Sequence, residues 1–466
     1  MAVTAEVESS PAATGKLRYN SPLVQVSLIG LVCFCCPGMF NALTGLGGGG
    51  QLDHSTADNA NTALYSCFAV FGVLGGAAHN LLGPRVTLLA GALTYPLYAA
   101  SFLYYNHHPS RQAFPVTAGA LLGVGAGLLW AAQGAIMTSY PPPSRRGSYI
   151  SLFWCLFNLG GVLGGLLPFS LNYHRAADAA SVNDATYIAF MAFMLLGAGL
   201  ALLLLPASRI VRDDGSRATR MSYSSVSTEG WEILKLFANW RMLLVLPAAW
   251  ASNFFYTYHS QRQWPPLHLP HQGPQQRLLL GRPDARCRGH RLLPRLRIRI
   301  LQQEEEGPVR GRRRRRARHR HLAGGLANHV PYADGNWGER LIDFKDGRRY
   351  AGPFLLYFSY GLLDAMFQSL IYWIIGALAN DTQILSRYVG FYKGVQSAGA
   401  AVAWQIDTHK TSLISQLIVN WALTTVSYPL LALLVFLAVK EEDSSVSSVE
   451  DGKEKDSKLS APTSFH

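Results

Sequence analysis

Gly307 to His321 reads GPVRGRRRRRARHRH, the densest part of a stretch, residues 261–321, that holds 17 Arg against 4 acidic residues. That surplus of 13 equals the formal net charge of the whole 466-residue chain, so the other 405 residues sum to zero. Taken with a pI near 9.5, the totals alone point to a binder of nucleic acid or of an anionic surface. Outside the block the chain reads otherwise. Its 49% hydrophobic residues gather into runs of about 20, the length that crosses a bilayer as a helix.

Apolar length, ended by Pro, Asn or charge, marks candidate spans at 23–46, 62–82, 86–105, 114–138, 148–171, 185–206, 236–257, 351–376, 387–406 and 413–438. Mean hydropathy is only +0.12 because polar tails, a central linker and the Arg block dilute these runs. A polar stretch of about 20 residues precedes the first run, so that span is expected to stay as a signal anchor. Lys16, Arg18, Arg85, Arg145, Arg146, Arg209, Arg212, Arg217 and Arg220 all fall on one side of these spans, which the positive-inside rule makes cytoplasmic. Arg111 and Arg175 are the exceptions. The expected organisation is a disordered cytoplasmic N-tail at 1–22, a six-helix bundle at 23–206, a cytoplasmic linker at 207–234, a second helical bundle at 235–440 containing the anomalous segment 259–322, and a disordered cytoplasmic tail at 441–466.

Six spans, a polar linker and a second hydrophobic half outline the major facilitator fold, an all-α polytopic membrane protein of two six-helix bundles around a midplane cavity. The second half is two spans short, and the deficit falls on the Arg-rich block. Arg is mostly encoded by CGN, which read one base later gives GN-something, the codons of Gly, Ala, Val, Asp and Glu. Gln263 to His268, back-translated and moved one base on, permits Asn-Gly-Pro-Leu-Phe-Thr; Leu278 to Asp284 permits Phe-Tyr-Trp-Gly-Ala-Gln-Met, and an apolar run follows. Spans eight and nine are therefore expected to have been lost to a shifted frame. A true basic loop that binds anionic lipid or nucleic acid by charge is the competing reading. It places the Arg run on the non-cytoplasmic side, against the charge rule.

Several strings resemble a known family. Gly123 to Pro141 reads GVGAGLLWAAQGAIMTSYP, Tyr360 to Asp381 reads YGLLDAMFQSLIYWIIGALAND, Asn80 to Arg85 reads NLLGPR and Ser252 to Tyr258 reads SNFFYTY. Together they resemble fungal members of the uncoordinated-type (Unc) ion-channel regulatory protein family, a branch of the major facilitator superfamily. The resemblance runs from about residue 20 to 440 and fails in frame from about 259 to 322. It implies a twelve-helix transporter-like protein, with animal relatives described as channel regulatory subunits or receptor trafficking chaperones and fungal ones as general substrate transporters. The superfamily's loop motif survives only as Gly83-Pro84-Arg85, without its acidic residue, which puts the usual coupling through that loop in doubt.

Polar residues inside hydrocarbon are expensive, which makes them functional candidates. Asp364, Gln368 and Tyr372 share a helical face at i, i+4 and i+8. A cavity-lining or proton-binding carboxylate and a helix-packing hydrogen-bond network are both open readings of that face. Lys393 and Gln396 lie one turn apart in span eleven, and an Asp364–Lys393 pair would cancel two buried charges. Asn41, Gln133 and Asn158, accompanied by Trp130 and Trp154, either contact a solute or bridge helices. Gly72, Gly75 and Gly76 in span two and Gly123, Gly125 and Gly127 in span four read as tight packing. Cys33, Cys35 and Cys36 read as ordinary packing, His107 and His108 as solvated loop residues, and the glycine run at 45–50 as an outer loop without the Lys and Ser or Thr of a phosphate loop.

Nothing resembles a nucleophile with an aligned base, a metal-ligand pair or a nucleotide site, so no enzyme, cofactor or metal is expected. The expected function is secondary transport of an unknown small solute by alternating access. The alternative is a non-transporting regulatory or trafficking partner of an ion channel or membrane receptor. Expected partners are the lipid bilayer and either that solute or a membrane protein, with no nucleic acid; the expected place is multi-pass in the plasma membrane or an endomembrane.

Overall fold

The computed structural model describes residues 18–46, 48–50, 55–172, 182–212, 226–254, 348–379, 381–409 and 413–459. Its helices are α1 (Pro22–Cys35), α2 (Pro37–Gly45), α3 (Ser55–His107), α4 (Ala113–Ser139), α5 (Arg146–Leu171), α6 (Asp184–Ala201), α7 (Val226–Leu236), α8 (Trp240–Phe254), α9 (Arg348–Ala377), α10 (Thr382–Thr408) and α11 (Leu413–Leu459). Among the described residues, six helical stretches are long and apolar enough to cross a membrane, and Ser55–His107 is long enough for two crossings. The anomalous segment 259–322 and the two spans expected beneath it lie outside the described residues.

Local chemistry sets the element ends. Ser21 caps α1, its hydroxyl accepting from the Val24 N–H at 3.4 Å, and Pro22 stands in the first turn where no N–H is needed. Pro37 cannot donate to the preceding turn, so span one bends at Cys36 and restarts as α2. Spans two and three are one run of helix divided at Gly83, whose φ of 77° lies in the left-handed region that favours glycine. Pro84 then begins the second leg as a first-turn proline.

Three boundaries differ from expectation. Residues 18–22 are not part of a free tail: Gln25 Nε2 donates to the Tyr19 carbonyl at 2.8 Å while its Oε1 accepts from the Leu205 N–H at 2.8 Å, tying the entry of α1 to the exit of α6. The linker is not wholly irregular, because Glu229, Ile233 and Leu236 recur at helical spacing and bury one face of α7, which is bent by 74° from α8. Span seven accordingly starts at Trp240 rather than 236. The tail expected to be disordered from 441 is helical to Leu459, a continuation of α11.

Among the described residues, the basic side chains used to orient the chain gather at one end of the bundle. There Arg85 Nε donates to the Leu204 carbonyl at 2.5 Å, Arg212 Nη2 to the Ser139 carbonyl at 2.9 Å, and Arg146 Nη1 to the Gly376 carbonyl. Each guanidinium thus satisfies carbonyls left open in or just beyond a last helical turn. At the opposite end His107 pairs with Asp184 at 2.8 Å. Leu74, Leu93, Leu195 and Leu196 are exposed on the outer wall, as a lipid-facing surface requires.

Helices α3 and α10 run antiparallel along a seam in which backbone meets backbone at Gly72 and Gly76. A Cβ on Gly72 would lie 2.8 Å from the Gly394 nitrogen, and one on Gly76 would lie 2.5 Å from the Ser386 carbonyl oxygen. Thr62 accepts from Gln405 at 3.0 Å at one end of this seam, and Asn80 accepts from Ser386 at 2.8 Å at the other. Gly76→Ala has only backbone to push against, so it is expected to cost about 1–3 kcal/mol, read as a lower thermal midpoint in detergent. Gly199→Ala, with nothing within 4 Å of the new methyl, is the control expected to leave that midpoint unchanged or raised.

Candidate functional site

The buried face of α10 carries Tyr388, Val389, Tyr392, Lys393, Gln396 and Ser397. Lys393 is only 3% exposed. Its ammonium donates to Gln396 Oε1 at 2.7 Å and lies 4.4 Å from the ring centre of Trp130, 5.2 Å from that of Tyr392 and 5.3 Å from that of Tyr372. All three distances are within cation–π reach, which offsets part of the cost of burying the charge. Trp130 belongs to α4 in the first half of the chain and Tyr372 to α9 in the second, so the cage closes across the two halves. Tyr372 adds a second bridge, its hydroxyl donating to Gln133 Oε1 at 3.3 Å, and Gln133 Nε2 faces Met137 Sδ at 3.4 Å.

Asp364 and Lys393 do not pair directly. Gln396 Nε2 donates to Gln368 Oε1 at 3.3 Å, and Gln368 Nε2 donates to Asp364 Oδ1 at 2.8 Å. The expected ion pair is replaced by a two-amide bridge because both glutamines stand between the charges. An ammonium only donates and a carboxylate only accepts, so each amide must turn its oxygen toward Lys393 and its NH2 toward Asp364. Aligned in this way the dipoles reinforce one another in a low-dielectric interior. The second hydrogen of Gln396 Nε2 reaches Ser252 Oγ at 2.8 Å.

Six of the expected residues, Asp364, Gln368, Tyr372, Lys393, Gln396 and Gln133, are thus brought together. Asn158 is not joined to them: its Nδ2 donates to the Trp154 carbonyl of its own helix at 2.7 Å. Asn41 is exposed on α2 and apart from the network. Ser252 was not foreseen as a site residue, although it lies in a string that carries the family resemblance. Two donors at this centre have no acceptor among the described residues. Trp154, whose ring packs edge-on against Tyr372 at 6.4 Å, keeps its buried Nε1–H unsatisfied, and the Lys393 ammonium has two N–H groups beyond the one given to Gln396.

A second buried polar cluster closes the basic end, and sequence reasoning missed it. Glu229 of α7 is 1% exposed. It accepts both arms of the Arg387 fork, Nε at 2.8 Å and Nη2 at 2.6 Å, and two bonds from Asn80 Nδ2 at 3.3 Å. Asn80 stands just before Gly83-Pro84-Arg85, in the stretch where the loop motif's acidic residue is missing, and the linker helix brings a carboxylate to it. Among the described residues no group of three or more His, Cys, Asp or Glu side chains could hold a metal ion.

Comparison with known proteins places this architecture. Residues 50–260 match the family model described as ion channel regulatory protein UNC-93. The chain is 57% identical over 439 residues to UNC93-like protein 1 of Arabidopsis thaliana, covering 94% of this chain and 95% of that one. It is 37% identical over 422 residues to an UNC93-like protein of Schizosaccharomyces pombe, covering 87% and 81%. The likeness is therefore not confined to fungal relatives. Among solved structures, the Escherichia coli fucose:proton symporter FucP superposes with a TM-score of 0.56 at 15% identity, over 89% of this chain and 99% of that one. The proton:xylose symporter XylE gives 0.55 at 11% identity, over 87% and 95%. At such identities the likeness shows the fold alone: a multi-pass membrane protein of the major facilitator type.

Proposed function

We propose that, because this chain belongs to the UNC-93 family of ion channel regulatory proteins and has the major facilitator fold, it is a secondary transporter that moves a small acceptor-bearing solute by alternating access between its halves. The observation that carries this reading is the Lys393 ammonium of the second half held 4.4 Å from the Trp130 ring of the first. A solute carboxylate that took the spare ammonium hydrogens and the Trp154 N–H would satisfy every donor left open there. Reconstituted vesicles containing the full chain, assayed by counterflow against a panel of small organic anions, test it. Saturable flux of a carboxylate is expected. Absence of flux, with a stoichiometric membrane protein co-purifying, would favour the second reading, a regulatory partner of a channel, which the family's own description supports.

The Arg-rich block fits this reading only as a shifted frame. The Arabidopsis relative is matched over 94% of this chain and 95% of its own length. Near-equal coverage argues that the block occupies the room of a segment of similar length, as a frame lost and later restored leaves it; an inserted loop would lengthen one chain alone. Sequencing the transcript across codons 259–322 is expected to return an open frame encoding two apolar spans, and an unbroken Arg run would overturn this.

A further inference from the structure

Helix α7 has a second face. Opposite Glu229, Ile233 and Leu236, it turns outward Trp231 (62% exposed), Leu234 (62%) and, just past its end, Phe237 (55%). A helix bathed in water on that side would carry polar residues there. Among this face's charges, Lys235 reaches back to Glu232 at 2.7 Å and lies 5.9 Å from the Trp231 ring centre, and Arg241 lies 5.6 Å from that of Trp240. Aromatic rings beside basic side chains are the pairing found where a protein crosses from headgroup to hydrocarbon. The 74° bend between α7 and α8 completes the placement. With α8 crossing the bilayer, α7 lies close to the membrane plane at the basic end, the end at which Arg85 and Arg212 bind helix-terminal carbonyls.

The geometry points to α7 as an in-plane helix that seats Trp231, Leu234 and Phe237 in the cytoplasmic leaflet and carries that lipid contact, through Glu229, to the closed ends of α3 and α10. The occupant of the exposed face is the lipid surface, chosen over a protein partner because the apolar strip is narrow, basic at its margin and continuous with the plane in which the spans enter the membrane. The other face makes the contact consequential. Glu229 is the buried carboxylate of the Arg387–Asn80 cluster, with Glu232 at its edge 3.9 Å from Arg387 Nη1, and that cluster joins α10 to α3. Lifting α7 off the leaflet therefore pulls on the group that holds the two halves together at this end.

The test uses the full chain in phosphatidylcholine vesicles, with and without phosphatidylserine. Brominated lipid is expected to quench a component of tryptophan emission that Trp231→Phe removes, and phosphatidylserine is expected to strengthen that quenching. In hydrogen exchange, Leu234→Glu is expected to cost protection both in 226–236 and in the first turns of α10. Glu229→Gln is expected to cost protection in α10 while leaving the Trp231 component lipid-quenched. A Trp231 component quenched by aqueous iodide and not by brominated lipid would overturn the membrane seat. Lipid quenching with α10 protection unchanged in Leu234→Glu would overturn the link to the closed end.

Discussion

Lys393→Met is expected to abolish solute flux without lowering the thermal stability of the protein. Methionine fills nearly the same volume, keeps the contact with Trp130, Tyr372 and Tyr392, and removes an ion that costs free energy to bury. Asp364 is only half-buried and keeps the 2.8 Å bond from Gln368. What disappears is the charge-assisted donor offered to the solute. Losing one partner of a buried, hydrogen-bonded charge pair costs about 2–5 kcal/mol, so apparent affinity should fall by roughly 30-fold or more. Lys393→Arg is not expected to rescue it, because a planar fork cannot sit as a compact point charge among three ring faces. Counterflow and a detergent melt on the same preparation check both halves of the statement. Retained flux would remove Lys393 from the site, and a collapsed melt would show its role to be structural.

Arg387→Ala is expected to be the most damaging single change to stability among the described residues. It takes from a Glu229 carboxylate that is 1% exposed the two short bonds of the Arg387 fork, 2.8 and 2.6 Å, which are tighter than the 3.3 Å bonds from Asn80. Breaking a buried ion pair from one side costs about 3–5 kcal/mol. Adding Glu229→Ala to the same chain is expected to recover part of the loss, since no charge is then left unpaired, and the double-mutant cycle reads the coupling directly. Additive losses would mean that the fork contributes nothing beyond packing. Asn80→Ala, which removes the two 3.3 Å bonds to Glu229 and the 2.8 Å bond from Ser386 but leaves no charge unpaired, is expected to cost about 1–3 kcal/mol.

The spans were legible because hydrocarbon demands about 20 apolar residues of any helix that crosses it. Asp364 and Lys393 were legible for the same reason, as lone charges in such runs. Which side chains lie between them was not: helical periodicity gives the face a residue occupies and says nothing of the neighbour that face meets. Asn41 and Asn158 were grouped with the site on spacing and depth alone, and the structure turns one outward and the other onto its own backbone. Glu229 was hidden differently. It sits in a polar linker where a carboxylate draws no notice, and only the bend before α8 brings it under α3 and α10. Its one signal was the i, i+4, i+7 spacing with Ile233 and Leu236.

The glycine seam between α3 and α10 sets how the halves can move. Side chains that interlock along a helix pair must climb over one another when the helices tilt, whereas at Gly72, Gly76 and Gly390 backbone rests on backbone. Polar ties stand at both extremities, Thr62 with Gln405 and Asn80 with Ser386. The middle of the seam is therefore a fulcrum. Tilting about it releases one tie while pressing the other home, and a single smooth line of contact lets the two ends exchange open and shut without the halves ever parting.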